Sequence, residues 1–302
     1  MNYNNLPTLD ETVLMALDFF TQKKPSKLNL KSLSFPIVVG SGNAYNTAQL
    51  LFSGKKAVIA SESNFKVILK TYQDLIKKKI IKEALIISAS GEKDSVWEVK
   101  LAKKYQLTTI LMTCNPESTA AKLADQVFSY HKLPEPYTYN VSTYLGMLLS
   151  ASSEKAKNIK SFIKPLRIPN LKKYKAFSFI VPDELAAIAP MLEIKRDELF
   201  GPNLSLRAFS YGQARHAKFV HPANKELVIS LGKNLYFGVK KNRLEIKNLK
   251  NIGPGLAMAL TYYLVGLIQK SQPPYFQKNI AKFCLEGPKA YGKTQPFTII
   301  VS

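Results

Sequence analysis

A chain of 302 residues, 46% of them hydrophobic, is long and apolar enough to bury cores of useful size, which excludes wholesale disorder. Its 43 basic and 21 acidic residues leave a net charge of +22, a positive potential that attracts phosphate-bearing partners of any size. No apolar run reaches the ~18 residues of a spanning helix, and the opening MNYNNLPTLDE has neither the basic nor the apolar region of a secretion signal. A cytoplasmic protein without membrane partners is expected. Only five of the positive residues are arginine, whereas forked guanidinium contacts are the usual means of reading base edges. With no helix-turn-helix segment, zinc finger or RNP-like strand, nucleic-acid binding is not expected. Cys114 and Cys284 stand alone, without a Cys/His cluster of metal-ligand spacing, so neither a disulfide framework nor a metal is expected.

Residues 1–34 carry one amphipathic helix, Leu9 to Phe20, opened by Thr8 with Glu11 three positions on, the spacing of a capping box. Short continuous apolar runs follow at 35–40, 57–60, 84–88 and 108–112, the pattern of strands covered on both faces. Between them lie helix-length segments at 43–53, 65–79, 94–105 and 117–126, an alternation that predicts a doubly wound parallel sheet over 35–150. A lysine-rich stretch with prolines, 151–174, reads as a linker. The pattern then restarts with strands at 176–182, 206–210 and 226–232 and helices at 184–199 and 253–270, which makes 175–302 a second α/β domain. EALIISASGEK at 83–93 rhymes with ELVISLGKN at 226–234, as a duplicated domain requires.

Open parallel sheets hold ligands at the carboxyl ends of their strands, where helix N-termini present free N–H groups. Two loops of the first domain suit that position. In VVGSGNAYN, Gly40 and Gly42 allow a tight turn while Ser41 and Asn43 offer polar groups; in IISASGEKD, Ser88, Ser90, Gly91 and Lys93 precede a helix. Together they form a candidate cradle for a phosphomonoester. Either loop alone is equally a tight turn with capping serines.

The pair is more telling. GSGNAYNTA at 40–48, SASGEK at 88–93 and TCNPESTAAKLADQVF at 113–128 resemble the signature of the sugar isomerase (SIS) domain, and the likeness extends more weakly over 175–285. The resemblance implies an α/β protein of two SIS-type, flavodoxin-like domains that binds a hexose phosphate, and a homodimer. Ala44 stands where many SIS proteins have a phosphate-binding serine, and Lys93 replaces a threonine, a hydroxyl lost and a charge gained.

The second half resembles the isomerase module of glucosamine-6-phosphate synthase and the bifunctional phosphoglucose/phosphomannose isomerases. By that resemblance Glu198 in KRDELFG, His216 in GQARHAKF and Lys282 in QKNIAKF are the catalytic candidates, with Ala217 in place of the glycine that follows the histidine. The residue types suit an aldose–ketose isomerisation from glucose or mannose 6-phosphate to fructose 6-phosphate. An imidazole titrates near neutrality and can open the ring, a carboxylate can carry a proton between adjacent carbons through an enediol, and a lysine can steady the oxyanion. No cofactor is needed. Each has a plainer role open to it: a solvent-facing carboxylate, a backbone-satisfied histidine, one lysine among many. The alternative function is a non-catalytic SIS protein that binds a phosphosugar for sensing or regulation. The second domain has VPDELAA at 181–187 in place of a glycine loop, so one ligand site per chain is expected.

Overall fold

The computed structural model describes residues 5–249, 252–292 and 294–301. The chain forms two compact units: a first of Lys23–Lys132 with Ser142–Ser153, and a second of Met1–Gln22, Leu133–Val141 and Glu154–Ser302. Helix α1 (Leu9–Gln22), expected as a separate N-terminal segment, is thus part of the second unit. Half of its capping box is present: Glu11 Oε2 accepts from the Thr8 N–H at 3.0 Å, while the Thr8 hydroxyl donates to Asp10.

The first unit runs through β1 (Ile37–Gly40), α2 (Asn43–Leu51), β2 (Val58–Ser61), α3 (Phe65–Thr71), α4 (Gln73–Lys77), β3 (Glu83–Ile87), α5 (Asp94–Lys104), β4 (Thr108–Thr113), α6 (Thr119–Leu123) and β5 (Gln126–Ser129). All five strands are parallel, in the order β2-β1-β3-β4-β5. Strand β1, IVVG, is buried along its whole length, each such Val or Ile contributing about 1.5–3 kcal/mol. The helix expected at 65–79 is two helices that meet at Tyr72. Strand β5, QVFS, goes beyond the four predicted; it lies at the sheet edge, largely exposed, and lacks the apolar run of its neighbours.

After β6 (Glu135–Pro136) and α7 (Val141–Ser150) come α8 (Ala156–Ile163), β7 (Ala176–Val181), α9 (Ile188–Phe200), β8 (Ser205–Ser210), α10 (Tyr211–Ala214), β9 (Glu226–Leu231), β10 (Arg243–Ile246), α11 (Pro254–Ser271), α12 (Tyr275–Glu286) and β11 (Ile300–Val301). The second unit's parallel sheet has the order β10-β9-β7-β8, and β11 pairs antiparallel with β6. The stretch expected as a linker contains α8, which buries Ala156, Ile159 and Ile163, packs on α1 and α11, and ties Lys160 to Asp18. Helix α9 rests on β7 and β8 and packs against α11 and α12; its Pro190 lies in the first turn, where no intrahelical N–H is lost. Cys284 is buried and Cys114 half-buried. Among the described residues no helix is long and apolar enough to cross a membrane.

Candidate functional site

In the first sheet the strand order reverses at β1, so the crevice beyond the carboxyl ends of β1 and β3 is the natural ligand position. Both loops singled out in the sequence lie at this edge. Gly40 ends β1 against the first turn of α2, where a Cβ would lie 2.8 Å from the Ala44 carbonyl carbon. Ser41 and Gly42 follow, and Asn43 opens α2. Beyond β3, the Ser88 hydroxyl accepts from the Gly91 N–H at 3.1 Å and the Ser90 hydroxyl from the Glu92 N–H at 3.3 Å. Each hydroxyl keeps its own proton to donate. Gly91 is required twice over: its φ is 65°, and a Cβ there would lie 2.0 Å from Ser118 Oγ.

The two loops touch. Ser41 Oγ donates to Asp94 Oδ2 at 3.4 Å, and Asp94, the first residue of α5, also accepts from Trp97 Nε1 at 3.2 Å. Gly40, Ser41, Gly42, Asn43, Ser88, Ser90, Gly91 and Lys93 therefore share one sheet edge, beside the N-termini of α2 and α5, whose dipoles favour an anion. The residues preceding these helices have the same backbone conformation, φ 54° and ψ −122° at Gly42 and φ 57° and ψ −120° at Lys93. For lysine that conformation is strained.

Within the 113–128 segment, Ser118 and Thr113 brace this edge, while Asp125 ties the far, amino-terminal end of β4. Ser118 caps α6 by accepting from the Ala121 N–H, and Thr113 donates to the Ala89 carbonyl. Asp125 accepts from both the N–H and the hydroxyl of Thr109 at 2.8 Å and pairs with Lys103 at 2.6 Å.

Sequence reasoning missed the acidic side of the edge. Asp94 places a carboxylate beside Ser41, and Glu98, one turn further along α5, is 1% exposed with Oε1 unbonded. Burial, with Asp94 and Glu62 nearby, pushes its pKa up to about 8.

In the second unit, Glu198 pairs with Lys195 at 2.5 Å one turn earlier on α9. Lys195 is fully buried, and it also donates to the Thr138 carbonyl at 2.6 Å and lies over the Tyr262 ring. Thr138 turns that carbonyl toward the lysine with a φ of 76°, an outlier for a β-branched residue. Glu198 faces a cavity of about 280 Å³ walled by Tyr275, Phe276, Ile280 and Phe283. Desolvation holds its pKa above the ordinary carboxylate range against the opposing pull of Lys195. A signal for Lys195 was present: Ile188, Met191, Leu192, Lys195 and Leu199 form one buried stripe, with the lysine in a core position.

Neither His216 nor Lys282 lines this cavity. His216 is exposed in the turn after α10, and Lys282 is exposed on α12. Ala217, in place of the glycine of the resembled turn, has a φ of 57°, the left-handed conformation glycine adopts freely. Among the described residues no group of three or more His, Cys, Asp or Glu is placed to hold a metal ion.

No protein-family model and no curated protein matches the chain. Its fold is the α/β fold, with parallel sheets, of phosphosugar isomerases and deaminases. Among solved structures it is similar to glucosamine-6-phosphate deaminase from Thermotoga maritima, at 16% identity and a TM-score of 0.59 over 86% of this chain and 92% of that one. It is also similar to tagatose-6-phosphate ketose/aldose isomerase from Escherichia coli, at 12% identity and a TM-score of 0.53 over 87% and 90%. A third likeness is to the C-terminal domain of glucosamine-fructose-6-phosphate aminotransferase from Francisella tularensis, at 11% identity and a TM-score of 0.54 over 90% and 94%. At these identities the likeness is one of fold.

Proposed function

We propose that the chain is a cytoplasmic, homodimeric SIS-family protein of two SIS-type domains, and that it isomerises a hexose 6-phosphate between aldose and ketose. The observation that carries the reading is the Ser41–Asp94 contact, which joins the glycine–serine loop to the SxSG loop at the switch point of a parallel sheet. The phosphate takes the hydroxyls of Ser88 and Ser90, the N–H groups opening α2 and α5, and the charge of Lys93. Glu198 takes the proton from C2 of the open-chain aldose and returns it to C1 through the enediol. Its raised pKa suits a group that both accepts and releases a proton, and Lys195 favours the ionised form that begins the cycle. His216 and Lys282 keep the roles the resemblance gives them, ring opening and oxyanion stabilisation.

Incubation with glucose 6-phosphate or mannose 6-phosphate and assay for fructose 6-phosphate tests this. Turnover that is lost in Glu198→Gln supports it; turnover unaffected by that change removes Glu198 from the mechanism. The second reading, a phosphosugar binder without catalysis, is favoured by the exposure of His216 outside the Glu198 cavity. Stabilisation by the sugar phosphate without any turnover selects it.

A further inference from the structure

The second unit's sheet repeats the strand order of the first: β8, β7, β9 and β10 stand as β2, β1, β3 and β4 do. Its order therefore also reverses at its first strand, and the carboxyl ends of β7 and β9 flank a second natural ligand position. Strand β7 runs into Pro182 and Asp183 and offers no glycine loop for a backbone cradle. Instead the edge holds a cavity of about 330 Å³, lined by Asp183 beyond β7, Tyr211 and Arg215 beyond β8, and Lys233, Tyr236 and Phe237 beyond β9.

The loop beyond β9 is held from within. Buried Asn234 accepts from the Tyr236 and Phe237 N–H groups at 3.3 and 2.9 Å and donates to the Phe237 carbonyl at 2.9 Å. Arg243 donates to the carbonyls of Asn234, Leu235 and Gly238 at 3.2, 2.8 and 2.7 Å. The Tyr211 hydroxyl donates to the Lys233 carbonyl. Phe237 packs into the cluster of Ile180, Ala214 and Val228. On this fixed frame the Tyr236 ring stands 78% exposed. Of the charges lining the cavity, Arg215 and Lys233 outnumber Asp183, whose Oδ1 already accepts from the Gly212 N–H at 2.7 Å.

We propose that this edge is a second binding site, for a ligand that joins a planar ring to a phosphate, the chemistry of a nucleoside monophosphate. The phosphate meets the fork of Arg215 and the ammonium of Lys233, side-chain cations replacing the backbone cradle. The ring stacks on Tyr236, whose own ring meets Phe237 edge-on. A cavity of this size accepts such a molecule. A sugar phosphate without the ring leaves the aromatic wall unused, which distinguishes this site from the crevice of the first unit.

Calorimetric titration of the full chain with AMP tests the proposal, with adenosine and ribose 5-phosphate as half-ligands. AMP is expected to bind once per chain, at least about tenfold more tightly than either half. Arg215→Ala and Tyr236→Ala are each expected to weaken AMP about tenfold while leaving the melting temperature unchanged, since both side chains are solvent-facing. AMP should remain bound in saturating glucose 6-phosphate. Absence of AMP binding, binding indifferent to both substitutions, ribose 5-phosphate binding as tightly as AMP, or displacement by glucose 6-phosphate each overturns it.

Discussion

The hydroxyl of Ser41 lies 3.4 Å from Oδ2 of Asp94, residues 53 positions apart that join the loop beyond β1 to the first turn of α5. The contact sets a carboxylate beside the two loops to which the proposal assigns the phosphate. On that proposal a dianion held there and Asp94 repel each other, a cost of about 1 kcal/mol at a partly exposed site.

Asp94→Asn removes that repulsion while keeping an oxygen for Ser41. Phosphosugar affinity is expected to rise about fivefold, read as a lower Kd in calorimetry. An unchanged or weaker Kd means the carboxylate either does not face the anion or binds the sugar itself.

Lys93 is strained where Gly42, in the same backbone conformation, is not. Lys93→Gly is expected to raise stability by about 1 kcal/mol, read from the urea midpoint. If the lysine charge also serves the ligand, the same variant binds phosphosugar about threefold more weakly. Loss of stability would show that the Lys93 side chain outweighs the strain.

Glu98 makes stability depend on pH. With its folded pKa raised to about 8 from the ordinary 4.5, the native chain holds a proton that the unfolded chain has released. Between those values stability falls as pH rises, by up to about 1.4 kcal/mol per pH unit, and it levels off above pH 8. The contribution is complete only below pH 4.5. Glu98→Gln is expected to flatten that slope and to be more stable than the parent by about 2–4 kcal/mol at pH 9, as denaturant titrations across the range would read. Parallel slopes in the two proteins would contradict it.

Lys195 and Glu198 form a pair that is costly to break from one side. Lys195→Met alone leaves the Glu198 carboxyl without its cation and is expected to cost about 3–5 kcal/mol. The double variant with Glu198→Gln is expected to recover most of that loss, so the two changes fall well short of additivity. Additive losses in a double-mutant cycle would mean the pair is not coupled.

Much of this architecture was legible because the information is local. Runs such as FPIVVG and ALIIS are strands buried on both faces, and glycines between strand and helix mark the turns of the crevice. What stayed hidden depends on tertiary context. Strand β5 has no apolar run because one sheet edge needs none, and α8 sits in a lysine-rich stretch whose three buried positions only packing reveals. Asp94 carries no local signal beside the glycines and serines of its loop, because its meaning comes from Ser41, 53 residues away. Lys195 was visible only as a charge in an apolar stripe, a pattern that gains meaning once Glu198 and the Thr138 carbonyl are seen to meet it.

The most direct test is calorimetric titration of glucose 6-phosphate into the parent chain and into the Ser88→Ala, Ser90→Ala double variant. The account predicts one site per chain in the parent and affinity at least about tenfold weaker in the variant, two donated hydrogen bonds to a charged group being lost. Absence of binding in the parent, or equal affinity in both proteins, would contradict it.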